Sequence, residues 1–216
     1  MGKLNMGILG GFSGTVGTVV GSTNKKGEDI IRAKSKKSRP ASSKEQVSQQ
    51  AKFGAVTRVM RGVNPVLKTG LKNTAAAENI SPYNYACRHA LKNAITGTDE
   101  NPEIDYSKLL LSDGILSRIP DATAVMSNGL ANFSWSDAVD NCRGELSDYV
   151  CLVVYNVSNG ELSFSDGENT RAAKTASVTL PYNSVGDTLL FYLFFRSATN
   201  ALLVSGSQYL GSGIVE

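Results

Sequence analysis

Eight cations crowd into 20 residues: Lys25, Lys26, Arg32, Lys34, Lys36, Lys37, Arg39 and Lys44. Side chains of this type at this density neutralise phosphates, in which case binding weakens steeply with salt. They also dock on the acidic surface of a neighbouring subunit, or they stay solvated. The tract carries no interleaved aromatic residues, which argues against stacking on single-stranded nucleic acid. No helix-turn-helix, zinc-finger or oligonucleotide-binding pattern accompanies it. All three uses stay open, with contact between subunits placed first.

Other residue types with chemical potential are spaced wrongly for it. His89 is the only histidine, and Cys87 lies two positions before it on an expected helix, where i and i+2 side chains diverge. A nucleophile and its base must meet, so His89 reads as a polar residue on the helix surface. One histidine and the scattered Cys87, Cys142 and Cys151 do not make a zinc site. The stretch GILGGFSGTVG lacks the GK[ST] ending of a phosphate loop and does not lie between a strand and a helix. The acid pairs Asp99–Glu100 and Asp137/Asp140 fall in turns, where backbone geometry alone favours them. We therefore expect no catalytic residue, no cofactor and no metal.

The cations belong to a larger asymmetry. Residues 1–72 hold 14 Lys or Arg against three acids, a balance of +11, whereas the other eight bases stand among 16 acids, a balance of −8. Opposite signs in the two parts imply an acidic partner for the first or attraction between copies. An odd cysteine count without CxxC fits a reducing compartment. No apolar stretch reaches the roughly 20 residues of a membrane span, and the early apolar run, broken by glycines, is a poor secretory signal. The expected location is the cytoplasm of the producing cell, or a virion for a phage-derived chain.

The elements follow from pattern. Residues 1–45 read as a basic, Gly-rich arm with two short strands, Val16 to Gly21 and Asp29 to Ala33, joined by a turn at Asn24–Gly27. Gly-rich strands lack side chains to pack and gain stability against another chain. The apolar residues Phe12, Val16, Val19, Val20, Ile30 and Ile31 suit such a contact better than a solvated tail. Residues 46–97 read as helical. One helix spans Lys44 to Arg61, capped by Ser42 or Ser43, with Val47, Ala51, Gly54, Ala55 and Val59 inward and Gln50, Lys52 and Arg61 outward. Asn64–Pro65 breaks it, and a shorter piece follows up to Lys72. A third helix covers Pro82 to Ile95, capped by Ser81, with Ala86, Ala90 and Ala94 on one side.

Residues 98–216 change to short strands and turns. The candidates are Tyr106 to Leu111, Ala122 to Ser127, Leu130 to Trp135, Tyr149 to Asn156, Leu162 to Ser165, Thr175 to Leu180, Thr188 to Ser197 and Ala201 to Gly206. Turn signals include Asn128–Gly129, Asn159–Gly160, Asp166–Gly167 and Gly186–Asp187. Phe133 and Trp135 are core anchors, and the apolar run Leu189 to Phe195 belongs in the middle of a sheet. The fold class is α+β, with an antiparallel, immunoglobulin/fibronectin-like β-sandwich at the C-terminal end.

Several motifs occur in one order: GGFSGTVGTVVG, the IIR strand, a Q-x-x-x-Q-x-x-A-K-F helix from Gln46 to Phe53, YNYACRHALKNAITG, IDYSKLLLSDG, F-S-W, LVVYN and a final QYLG. With them the chain resembles, over almost its whole length, a Bacteroidota family of about 200 residues that is catalogued as a domain of unknown function. The family often has an aromatic residue near Asn24, where this chain has Asn and Lys. The resemblance implies an architecture and brings no activity.

The expected function is accordingly non-enzymatic. The arm adds strands to a neighbouring copy, and head-to-tail contact closes into rings or grows into filaments, as in a phage-type virion component of the tail, connector or head. The partners are then copies of the chain or other structural subunits, with nucleic acid as a further candidate and no membrane. Two alternatives are a binding module holding a glycan or protein on the sandwich loops, near Tyr182 or Tyr209, and a nucleic-acid-associated protein using the basic tract.

Overall fold

The runs Tyr149–Asn156 and Thr188–Arg196 have no polar face to give to water, so a fold must cover them on both sides. In the computed structural model both are strands buried along their length. The structure describes residues 3–4, 11–24, 27–35, 42–99, 101–119, 121–136 and 143–216. It divides into two units, 1–43 and 44–216.

Unit 1 holds β1 (Lys3–Leu4), β2 (Phe12–Val16), β3 (Val19–Thr23) and β4 (Asp29–Ala33). They form one antiparallel sheet in the order β1-β2-β3-β4. The strand at Asp29–Ala33 stands where the sequence puts it, and the middle of the turn expected at Asn24–Gly27, Lys25 and Lys26, lies outside the described residues. The strand expected over Val16 to Gly21 does not form as one piece. Gly17, at φ 55°, takes a left-handed turn position with Thr18 and splits the segment into the ends of β2 and β3.

Unit 2 begins with the helices α1 (Lys44–Gly62), α2 (Asn64–Gly70), α3 (Lys72–Ala77) and α4 (Pro82–Asn93). A small ladder of β5 (Ile95–Gly97) and β6 (Pro102–Ile104) follows, which sequence reasoning missed. Then come β7 (Thr123–Ser127), β8 (Leu130–Ser134), β9 (Tyr149–Asn156), β10 (Leu162–Thr170), β11 (Thr175–Thr179), β12 (Thr188–Arg196) and β13 (Gln208–Ile214). The order is β10-β9-β12-β13 in a four-stranded sheet and β11-β8-β7 in a three-stranded one, every neighbour antiparallel.

Unit 2 thus has three layers around two cores. Alternate residues of the four-stranded sheet, Cys151, Val153, Tyr155, Leu190, Tyr192 and Phe194, pack with Val56, Val59, Met60, Leu67, Ala86 and Ala90 of the helices. The opposite alternation, Val150, Leu152, Val154, Phe191, Leu193 and Phe195, packs with Ala131, Phe133, Trp135 and Val178 of the smaller sheet. The helices and the sheets therefore share one compact body. Ser81 caps α4, its hydroxyl accepting from the Asn84 N–H at 3.2 Å, and Pro82 occupies the first turn where no N–H is needed. Trp135 is core, and its Nε1 donates to the Arg171 carbonyl at 2.8 Å.

Several expectations need correction. On α1 the buried residues are Val56, Val59 and Met60, whereas Val47 and Gly54 are exposed, because only the C-terminal half of the helix lies on the sheet. Tyr106 to Leu111 is not a strand: Asp105 accepts from the Ser107 N–H and starts a 3-10 turn at Tyr106–Lys108. Asp166–Gly167 is not a turn but a bulge inside β10, with Gly167 at φ 86°. Ala201 to Gly206 is not a strand either; Val204 and Ser205 make isolated bridges, and the last strand is β13.

Candidate functional site

Each unit has one feature of note: in the arm, among the described residues, a sheet with an exposed apolar face and an open edge, and in the body a groove between two sheet edges. Register fixes the first. Gly14 pairs with Gly21 and Val16 with Val19, while Val19 pairs with Ala33 and Gly21 with Ile31. Cross-strand partners share a face, so Phe12, Val16, Val19, Ile31 and Ala33 stand on one side of the sheet. Val20, Ile30 and Arg32 stand on the other among Ser13, Thr15 and Ser22. Of the six apolar residues expected to drive assembly, four are thus gathered on one face and two are not.

Local chemistry holds this sheet in shape. A side chain at Gly21 would collide with the Phe12 carbonyl and ring, so β2 and β3 reach this separation only with glycine there. The turn before β4 is closed from the Asn24 N–H to the Glu28 carbonyl at 2.9 Å and from the Glu28 N–H to Asn24 Oδ1 at 3.0 Å. Thr23 Oγ1 donates to Asp29 Oδ1 at 2.8 Å. What the sheet lacks is cover: Val16 is 51% exposed, Ile30 46% and Ile31 65%, and all five residues of β4 face solvent within the described structure.

The basic tract is only partly described. Lys25, Lys26, Lys36, Lys37 and Arg39 lie outside the described residues. Arg32 and Lys34 alternate along β4 and its continuation, both exposed, and the Lys34 N–H donates to the Thr18 carbonyl at 2.7 Å. Lys44 belongs to the other unit, as the exposed first residue of α1.

The groove in unit 2 has a volume of about 710 Å³ and is lined by Met126, Ser127 and Gly129 on one side and by Gly213, Ile214 and Glu216 on the other. Its walls are the end strands of the two sheets, β7 and β13. Met126 reaches across beneath Gly213, where a Cβ would meet Met126 Cε at 2.6 Å. Beside it, the loop after β11 displays Tyr182 and Val185, 78% and 81% exposed. Its backbone is pinned by the buried Asn156, whose Nδ2 donates to the Tyr182 carbonyl at 3.2 Å and to Asp187 Oδ2 at 2.8 Å. That bond, with one from the Ser184 N–H, holds the Asp187 carboxyl below its ordinary pKa. Tyr209, the other aromatic candidate, packs against Tyr192 with ring centroids 5.3 Å apart.

The residues weighed for catalysis stay apart. Burial pushes the Cys87 thiol up, and the Cys151 thiol well up, with Asp166 beside it adding to the effect. His89 is half-buried, and its Nδ1 has no hydrogen-bond partner among the described residues. Asp99 pairs with Lys52 at 2.6 Å. Cys142, Glu100, Asp137 and Asp140 lie outside the described residues. Sequence reasoning missed the groove and a buried pair, Arg171 with Asp148, whose closest charged atoms are 3.9 Å apart. Glycines 211 and 213 inside an otherwise apolar stretch were the available signal for the groove, since interior strand glycines mark close backbone approach.

Residues 11–211 match one family. The chain belongs to DUF6266, a family of unknown function. No curated protein and no solved structure matches it. Among the described residues, no helix is long and apolar enough to cross a membrane.

Proposed function

We propose that this DUF6266 chain is a non-enzymatic structural protein that self-associates through its N-terminal arm. The carrying observation is the uncovered apolar face of the arm sheet, with Val16 and Ile31 more than half exposed. A small sheet in water needs a second layer to be stable, and a neighbouring copy supplies one. The charge balance supports the same partner, since the first 72 residues carry +11 and the rest −8. Head-to-tail contacts of this kind build rings or filaments, which is the basis for the finer reading as a phage-type virion component. The motifs FSGTVGTVVG and QYLG support a Bacteroidota source.

The body reads further as an immunoglobulin/fibronectin-type sandwich. With β7 to β13 taken as seven strands, the first, second and fifth form one sheet, and the fourth, third, sixth and seventh the other. This differs from the constant-type immunoglobulin order only in the fourth strand, which lies beside the third. The exposed Tyr182 and Val185 on their pinned loop favour a second reading, a glycan- or protein-binding module, because rigid exposed aromatics make efficient contacts.

Light scattering on the full chain and on residues 44–216, at low and high salt and with and without DNA, tests the assembly. The expected result is large, salt-sensitive species from the full chain without DNA, and a monomer from the truncated one. A full chain that is monomeric, and shifts only with DNA, would transfer the function to nucleic-acid binding.

A further inference from the structure

We infer that the groove between β7 and β13 is the acceptor site for β4 of a second copy, which adds to the free edge of β13 as a fifth strand. The inference rests on the assembly reading and names its contact.

Alternation of the backbone bonds identifies both edges. Val215 exchanges bonds with the turn before β12, its N–H to the Asp187 carbonyl at 3.0 Å and its carbonyl from the Gly186 N–H at 2.8 Å. Partners in an antiparallel ladder alternate along a strand, so the N–H and C=O of Ser212 and Ile214 point away from β12, and Ile214 lines the groove. On the opposite wall the turn at Asn128–Gly129, both at positive φ, closes between Ser127 and Leu130. Ala124 and Met126 therefore point their backbone groups away from β8, toward the same space.

The donor is identified in the same way. The bonds from the Asn24 N–H to the Glu28 carbonyl and from the Lys34 N–H to the Thr18 carbonyl show that even-numbered residues of β4 face β3. Asp29, Ile31 and Ala33 then direct their N–H and C=O groups to the outer edge of the arm sheet, without a strand beside them among the described residues. An exposed, flat edge with apolar side chains is a template for pairing with another chain. Ile31 is 65% exposed, more than Val16 on the same face at 51%.

Two features select β13 over the other outer strand of its sheet. β10 is interrupted by the bulge between Asp166 and Asn169 and carries Asp166 and Glu168 there, whereas the bulge of β13 falls at Leu210 and leaves Gly211–Ile214 in regular register. β13 carries Gly211, where nothing lies within 4 Å of the place a Cβ would take, so a second backbone can approach there. The sign of the charges agrees: Arg32 and Lys34 flank the donor edge, and Glu216 lines the acceptor.

Proline removes a backbone N–H, and both edges offer positions where that N–H is outside the existing ladder. Ile214→Pro and Ile31→Pro are each expected to weaken self-association by at least about tenfold in sedimentation equilibrium, and Ile214→Thr and Ile31→Thr far less, because threonine keeps the N–H. A second measurement covers the case in which a proline variant misfolds. Chains carrying Ile31→Cys and chains carrying Ser212→Cys, both with Cys142→Ser, are mixed and oxidised. A disulfide-linked heterodimer, absent from either chain alone, is expected. An associating parent with proline variants that associate equally well and no heterodimer would overturn the groove while leaving arm-driven assembly standing. A disulfide that forms only when both cysteines are in one chain would overturn the second copy as occupant. A monomeric parent overturns the inference together with the reading beneath it.

Discussion

This chain builds two four-stranded antiparallel sheets from the same backbone ladder. In the body, β9 and β12 are buried on both faces, between helices on one side and a second sheet on the other. In the arm, the described strands are short and glycine-rich, and β4 buries none of its residues. The ladder bonds themselves exchange water for backbone and contribute little net stability, so the difference lies in the apolar surface removed from water. A sheet that cannot cover its own face is stable only to the extent that something else covers it. The body covers its central sheet with its own residues, whereas on the proposed reading the arm takes its cover from a second copy.

The largest effect should separate the two sheets outright. Phe133 is buried in the inner core and meets Phe191 edge-on with centroids 6.2 Å apart. Phe133→Ala is expected to lower the body's stability by about 3–5 kcal/mol in urea unfolding. Phe12→Ala removes the same side chain from the arm sheet, yet should leave the body's transition within about 0.5 kcal/mol while weakening self-association. Equal shifts from the two variants would end the contrast.

The same contrast explains what could be read from sequence. The apolar run Leu189 to Phe195 announced a central strand because no surface position tolerates seven such residues, and Tyr149–Asn156 did so for the same reason. Ser81–Pro82 marked a helix start through local backbone chemistry alone. The errors fall where side chains are small or context decides. Gly17 was buried in a β-branched run whose composition outvoted a single turn residue. On α1 the small residues Ala51, Gly54 and Ala55 defined a face without apolar bulk, whereas the buried face is set by where the sheet ends. Glycines 211 and 213 hid β13, and with it the groove, whose walls are brought together from positions 126 and 213, far apart in the chain.

A second test probes the body's own weak point. Arg171 is fully buried, with Nη2 donating to the Ser117 carbonyl at 2.9 Å and the guanidinium 3.9 Å from the Phe195 ring centroid. Its Nε and Nη1 have no hydrogen-bond partner among the described residues, and burial draws its pKa down against the pull of Asp148. Arg171→Ala leaves the buried Asp148 uncompensated and should cost about 3–5 kcal/mol in urea unfolding. Arg171→Met combined with Asp148→Asn should recover much of that loss, since replacing both charges is far milder than removing one. No recovery would mean that the arginine acts by volume rather than by charge.

A smaller effect is expected at the loop beside the groove. Asn156→Ala removes the donor that pins Tyr182 and Asp187 and should cost about 1–3 kcal/mol. Hydrogen exchange should rise locally at Gly186 and Val215, whose bonds close that loop. Exchange that rises equally over β12 would show that Asn156 supports the core rather than the loop.

The smallest effect is expected from the one histidine in the sequence, which only one of the two units carries. The chain's single histidine, His89, belongs to the body, and its burial holds its pKa below the ordinary 6.5, with Asp113 pulling weakly the other way. As pH falls through about 6.5, the unfolded chain takes up this proton before the folded one does. Stability should therefore decline below that pH and level off once the folded value has been passed. The slope should stay well under the roughly 1.4 kcal/mol per pH unit of one complete proton, because the ring is only half-buried. His89→Gln should flatten the decline in urea titrations between about pH 7 and pH 5.5. The arm carries no histidine, so association through β4 should stay level across this window while the body's stability falls. Association that tracked the His89 titration would tie the contact to the helical layer and away from the edge of β13.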